Sequence, residues 1–253
     1  MRAVRFGAPD GSEIRYGLEE AGAVVELDAS PWASHRRTGR TFAVGEVRLH
    51  APVVPGVVIG IGKNFVSQGE PVPPPPAIPI LFFKPPTAVI GPGAPITLPP
   101  GVTTVKYESE LAVVIGRRAR HLSERDVFDH VFGYTVANDV AAPEYHHPDG
   151  HWTISKSFDG FCPLGPAIET DLDLDTLTIE AYVNGERRQS SGLDRMITAV
   201  APMVAYISGF MTLSPGDVVL TGTPAGAGEV GEGDTVECVI EGIGRLRNHV
   251  KRP

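Results

Sequence analysis

Tyr107-Glu108-Ser109-Glu110-Leu111-Ala112-Val113-Val114-Ile115-Gly116 is the stretch from which the rest of this chain is read. Aliphatic and β-branched residues run from Leu111 to Ile115 and stop at Gly116-Arg117-Arg118, the pattern of a strand ending in a turn. Side chains alternate faces along a strand, so Glu108 and Glu110 project the same way. Two carboxylates so placed repel each other unless a proton or a cation lies between them. A third acid, Asp139, closes a second apolar strand, Gly133-Tyr134-Thr135-Val136-Ala137-Asn138-Asp139-Val140. Three carboxylates make a hard oxygen set, suited to Mg²⁺, Mn²⁺ or Ca²⁺ rather than to zinc. A Glu-x-Glu pair also occurs at the solvated edge of an ordinary surface strand, and the choice falls to the rest of the chain.

With 253 residues, 42% of them hydrophobic and 21% charged, the chain has the composition of a globular protein with a sizeable core. A net charge of −8 argues against nucleic acid or an anionic membrane as partner. No apolar run reaches the length of a membrane span, and Met1-Arg2-Ala3-Val4-Arg5-Phe6 does not read as a signal peptide. Cys162 and Cys238 lack metal-ligand spacing and are too few for a disulfide framework, which together point to a cytoplasmic protein. The 29 glycines and 24 prolines, set among abundant aliphatic residues, suit many short strands joined by tight turns. The class expected is mainly β with few helices (α+β).

Two parts are expected, a small β-rich module over residues 1–52 and a larger domain over 53–253. In the first, Ala3–Phe6, Glu13–Tyr16 and Ala23–Leu27 are strand-like, separated by turns at Asp10-Gly11 and Glu20-Ala21-Gly22; Thr38–Glu46 reads as a polar loop. In the second, Val57–Phe65 and Ile80–Lys84 are strand-like. Glu70-Pro71-Val72-Pro73-Pro74-Pro75-Pro76 is an extended exposed loop, either a rigid wall beside a site or a polyproline ligand. Ser123-Glu124-Arg125-Asp126 has the form of a capping box. Val183-Asn184-Gly185-Glu186 predicts a hairpin turn between strands, and Thr198–Thr212 an amphipathic helix with Pro202 in its first turn.

Seven segments, taken in order, resemble the fumarylacetoacetate hydrolase superfamily. They are Gly60–Phe65, Phe82–Pro85, Tyr107–Leu111, Gly133–Asp139, Lys156–Pro166, Val183–Glu186 and Gly216–Gly226. Each is weak alone; their order and spacing over residues ~57–250 carry the resemblance. It implies a mixed β-sandwich roll, usually a homodimer, with Mg²⁺ or Mn²⁺ on Glu108, Glu110 and Asp139 and Ca²⁺ also compatible. It further implies a small 2-oxo or 2,4-dioxo acid substrate, chelated through its carboxylate and adjacent carbonyl and processed through an enolate. C–C hydrolysis, the commonest activity of the family, stands nominally first, with decarboxylation and enol/keto isomerisation close behind, since all three share that enolate and fold and metal do not choose among them. A non-catalytic protein that binds metal and oxo acid is the alternative of a different class. By the same resemblance Lys156 is the site lysine, and Thr223, Gly222, Gln189 and Lys84 lie near the substrate.

The chain departs from the family at one informative place. Hydrolytic members typically carry Asn-Tyr-x-x-His-x-x-Glu, a lid whose His and Glu activate water. Here the run is Asn64-Phe65-Val66-Ser67-Gln68-Gly69-Glu70-Pro71. Gln68 cannot take a proton at neutral pH, and Glu70 stands one residue early, which leaves Gln68 and Glu70 as the candidate lid groups. Three histidines, His146, His147 and His151, lie between Asp139 and Lys156. Either His147 or His151 faces the substrate and replaces the base, or the loop is merely solvated.

Overall fold

A computed structural model describes residues 1–8 and 13–253; the Asp10-Gly11 turn lies outside them. The amino-terminal part holds β1 (Arg2–Gly7), β2 (Arg15–Glu20), β3 (Ala23–Leu27), β4 (Arg37–Ala43) and β5 (Arg48–His50). Next come β6 (Val58–Gly62), β7 (Ile80–Lys84), β8 (Val89–Ile90), β9 (Ile96–Thr97), β10 (Thr104–Tyr107), β11 (Ser109–Ile115) and β12 (Val131–Asn138). The chain continues through β13 (Cys162–Glu169), β14 (Thr178–Val183) and β15 (Glu186–Gly192) to α1 (Val200–Phe210). It closes with β16 (Val218–Leu220), β17 (Gly228–Gly231), β18 (Thr235–Ile240) and β19 (Gly244–Lys251). The mainly β class expected from composition is what forms.

Ten strands of the larger sheet run in the order β4-β3-β2-β1-β13-β12-β11-β16-β6-β7, with β5 beside β1 and β8 beside β13. A second sheet, β15-β14-β18-β19-β9, covers one face, and β10 pairs with β17 alone. Leu111, Val113 and Ile115 of β11 share a core with Ile179, Val236 and Leu246 of the second sheet and Met203 and Ile207 of α1. Ala112 and Val114, on the other face, share a second core with Ala137, Val218 and Leu220. Burial on both faces is why β11 is apolar throughout rather than alternating. Each fully buried Val, Leu or Ile there contributes about 1.5–3 kcal/mol relative to exposure.

The first 52 residues do not make a sheet of their own. β1 joins β13, with Ala3 opposite Ile168, so the amino-terminal strands lengthen the main sheet. The loop expected over Thr38–Glu46 is instead largely the edge strand β4, paired with β3. Its one large apolar residue, Phe42, packs on Phe6 with ring centroids 5.5 Å apart, while polar neighbours face water. Such an edge strand alternates too sparsely in sequence to be told from a loop. Both expected hairpin turns form, with Ala21 and Gly22 at φ +48° and +82°, and Asn184 and Gly185 at +51° and +85°. The Ser123 capping box does not form, because the Ser123 hydroxyl bonds the Asp126 carboxylate and the segment winds as a 3₁₀ turn, Glu124–Asp129. The proline run is exposed and outside the ladders. Among the described residues no helix is long and apolar enough to cross a membrane.

The pairing of β6 with β7 depends on a missing side chain. Gly60 lies opposite Phe82, and a Cβ there would fall 2.0 Å from the ring. Gly60→Ala should therefore cost about 1–3 kcal/mol through overpacking, read from the urea midpoint. A loss well below that range would show that the ring has room to move.

Candidate metal centre and cavity

Strand register gathers the acids. Ser109 pairs with Asn138 and Glu110 with Ala137, which sets Glu108 opposite Asp139 one step further out. The Asp139 N–H bonds the Glu108 carbonyl at 2.8 Å. Glu108, Glu110 and Asp139 therefore share a face, and ligand oxygens from the three lie within 4.8 Å of one another. The unbroken strand expected over Tyr107–Gly116 is corrected at Glu108, where the chain leaves β10 and its partner β17 and enters the large sheet as β11. Asn138 Oδ1 accepts the Glu108 N–H at 3.0 Å and satisfies the backbone at this break.

Two buried lysines meet these acids. Asp139 is fully buried and accepts hydrogen bonds from Lys84 Nζ and Lys156 Nζ, one on each oxygen. Lys84 also donates to the Val140 carbonyl at 2.8 Å, and Lys156 to Glu108 Oε2 at 2.7 Å. Lys156 lies 4.6 Å over the Phe82 ring. The remaining oxygen of Glu108, Oε1, pairs with Lys106 at 2.8 Å. Among the described residues Glu110 has no ion-pair partner. Its hydrogen-bond donor among the described residues is the Gly222 N–H, at 2.7 Å. Gly222 can supply that bond because it holds φ +92°, a conformation that favours glycine, and because a Cβ there would fall 2.8 Å from Asn64 Cβ.

The charges follow from this arrangement. Burial alone would raise the Asp139 pKa, but Lys156 and Lys84 outweigh it and leave the carboxyl lowered. Burial would lower Lys156, yet Asp139, Glu108 and Glu110 outweigh it and hold the ammonium firmly protonated. Glu110 is pushed well up, first by burial and then by the charges of Asp139 and Glu108. A buried carboxylate left uncompensated beside two others must take a proton or a cation. The three oxygen donors therefore fit a divalent ion of the Mg²⁺ or Mn²⁺ type.

Beside the acids lies a cavity of about 400 Å³, with Lys63, Lys106, His146, Trp152, Lys156 and Thr223 on its walls. Thr223 donates its hydroxyl to Ser109 O at 2.8 Å and accepts from Gln189 Nε2 at 2.8 Å, so its own proton is already used. Its peptide N–H has no acceptor among the described residues. Burial, and then Lys156, lower the His146 pKa below the ordinary imidazole value.

Several expected positions are corrected by this geometry. Lys84 does not line the cavity; its side chain is wholly buried because its ammonium neutralises Asp139. Gln189 is buried behind Thr223, bonding the Ser109 N–H, Thr223 Oγ1 and Pro224 O, so it positions the threonine from outside the cavity. Gln68 and Glu70 are exposed and stand outside the cavity wall. The Glu70 carboxylate accepts its own loop's Ser67 N–H, and Arg195 bonds the Ser67 and Glu70 carbonyls. Of the three loop histidines, His146 reaches the cavity, while His147 and His151 face each other with ring centroids 5.9 Å apart. Lys106 was legible in principle, since it lies two residues before Glu108 on the same strand face. His146 and Trp152 sit in a loop without periodicity and carry no such signal.

Comparison with known proteins places this arrangement among relatives. Residues 57–251 match the family model for the fumarylacetoacetate (FAA) hydrolase C-terminal domain, and residues 1–52 match the Rv2993c-like N-terminal model. Protein Rv2993c of Mycobacterium tuberculosis is 42% identical, with coverage of 100% of this chain and 98% of the relative. A mitochondrial oxaloacetate tautomerase of Xenopus laevis is 36% identical over 99% of this chain and 90% of its own length. Among solved structures, a 5-carboxymethyl-2-hydroxymuconate delta-isomerase from Mycobacterium smegmatis superposes with a TM-score of 0.92 at 39% identity, covering 100% of both chains. A maleylpyruvate hydrolase from Sphingobium sp. SYK-6, in complex with manganese(II) and pyruvate, superposes at 0.82 with 28% identity, covering 100% of this chain and 99% of its own.

Proposed function

The chain belongs to the fumarylacetoacetate hydrolase family, and from that premise we propose that it interconverts the enol and keto forms of a 2-oxo acid with a divalent ion on Glu108, Glu110 and Asp139. The observation that carries this reading is the position of the lid. Gln68 has no proton-accepting group, and Glu70 is exposed outside the cavity, so among the described residues these two make no water-activating pair over the acids. Enolisation needs no activated water; it needs a proton moved between carbon and oxygen. Similarity to an oxaloacetate tautomerase and to a delta-isomerase supports the choice.

When bound, the ion supplies Lewis acidity toward the acid's carboxylate and adjacent carbonyl. The protein's own groups do the rest. Lys156, held protonated by Asp139 and Glu108, offers a fixed positive charge where oxyanion charge grows. The Thr223 peptide N–H provides an unused donor for the substrate carboxylate. His146 is neutral near pH 7 and lines the cavity, which makes it the group to carry the proton. Hydrolytic C–C cleavage is the second reading, favoured by that same histidine acting on water and by the likeness to maleylpyruvate hydrolase.

The test follows enol absorbance of oxaloacetate and, separately, product masses from an acylpyruvate, with Mn²⁺ present. Accelerated enol–keto exchange without C–C cleavage is expected, and His146→Ala should slow it by about 10²-fold. The acidic limb of the rate profile should lie below the ordinary imidazole range, because protonation removes the base and the His146 pKa is lowered. Cleavage of the acylpyruvate with no effect on the enol signal would establish the hydrolytic reading instead.

A further inference from the structure

We propose that Lys106 is an exchangeable cation: it competes with the divalent ion for Glu108 and, once displaced, binds the distal carboxylate of a dianionic 2-oxo acid. The proposal rests on the reading of the site given above and adds the charge of the substrate's far end.

Glu108 Oε1 is held by Lys106 at 2.8 Å and Oε2 by Lys156 at 2.7 Å, so both oxygens of a metal ligand are already engaged by cations. The two lysines are not equivalent. Lys156 is 5% exposed at its side chain and is also tied to Asp139. Lys106 is 37% exposed, Glu108 is its one side-chain partner among the described residues, and it stands on the cavity wall. A half-exposed ion pair of this kind is weak and easily exchanged. A divalent ion that takes Glu108 leaves the Lys106 ammonium beside the cavity without its carboxylate. Charge in the cavity then exceeds what a monoanion would balance. The three carboxylates on the cavity wall face a divalent ion together with Lys106, Lys156 and the exposed Lys63, which has no ion-pair partner among the described residues. A second negative group on the substrate is the complement to that excess.

The test uses Mn²⁺ alone, then 2-oxoglutarate and 2-oxopentanoate, which share the 2-oxo acid head and differ in the distal carboxylate. Binding is read by calorimetry on the full chain. Lys106→Met should bind Mn²⁺ roughly 3–10-fold more tightly, because a competing cation is gone. Mn²⁺-loaded wild type should prefer 2-oxoglutarate by about 10-fold, the same variant should lose that preference, and Lys106→Arg should keep it. Unchanged or weaker Mn²⁺ binding in Lys106→Met overturns the proposal, as does a dianion preference that survives it. If both acids bind the loaded wild type equally, Lys106 is wrongly assigned while the 2-oxo acid reading stands. If neither binds, that reading fails and the distal-carboxylate claim falls with it.

Discussion

Asp139→Asn should destabilise the chelator-treated protein by about 3–5 kcal/mol, a large share of the roughly 5–15 kcal/mol that holds a typical domain together. Asparagine keeps the shape and removes the charge. Lys84, with a wholly buried side chain, would then lose its one carboxylate partner, and Lys156, at 5% exposure, would keep only Glu108. Lys84 would keep only the Val140 carbonyl, a dipole in place of a charge. Breaking a buried pair costs more than the pair contributes, because the surviving charge stays desolvated. The pH dependence follows from the lowered Asp139 pKa. Its contribution is complete above the ordinary aspartate range and is lost as pH falls through the depressed value. Wild-type and variant urea midpoints should therefore differ at neutral pH and converge in strong acid. A neutral-pH difference below about 1 kcal/mol would mean that the two lysines do not depend on Asp139 as drawn.

Glu110→Gln, a change of the same chemical kind one strand away, should behave in the opposite way toward stability while removing function. Glu110 is 2% exposed, has one backbone N–H as donor, and faces two further carboxylates. Its pKa is raised, so between the ordinary glutamate range and the raised value the folded state holds a proton that the unfolded state has lost. Stability of the metal-free protein therefore falls as pH rises through that window. Glutamine has no such charge, and its amide can donate to the neighbouring acids. In chelator, Glu110→Gln should match or exceed wild type, with the gap widening as pH rises. With Mn²⁺ the order should reverse. A saturating ion at 100 times its Kd adds about 2.7 kcal/mol to wild type. The variant's affinity should fall by more than the roughly 10–100-fold that loss of an outer partner costs a metal site, and turnover should fall with it. Melting with and without Mn²⁺, across pH, measures both effects. A variant markedly less stable than wild type in chelator would show that Glu110 is neutralised by something other than a metal.

Much of the centre could be read from local spacing. Glu108, Glu110 and Asp139 stand two residues apart or at a strand end, and the period of a strand carries them to one face. The Asn184-Gly185 turn and the apolar run of β11 are legible for the same reason. The lid could be read only in part: the loss of its histidine is written at Gln68, but the bonds of Arg195 to the Ser67 and Glu70 carbonyls are not.

By itself, then, the sequence determined the mainly β class and the placing of acids on one strand face, and it offered them as metal ligands only through the resemblance. The class and that placing follow from residue type and short-range periodicity. The tertiary structure alone decided which cations answer the acids. Lys84 and Lys156 lie 55 and 17 residues from Asp139, and they reach it through sheet register and the path of a loop. It also set Gln189 behind Thr223 and turned His146, rather than His147 or His151, to the cavity. In a buried site the energy of a charge depends on what lies within a few ångströms of it, and that neighbourhood is assembled across the chain, beyond the reach of any local pattern.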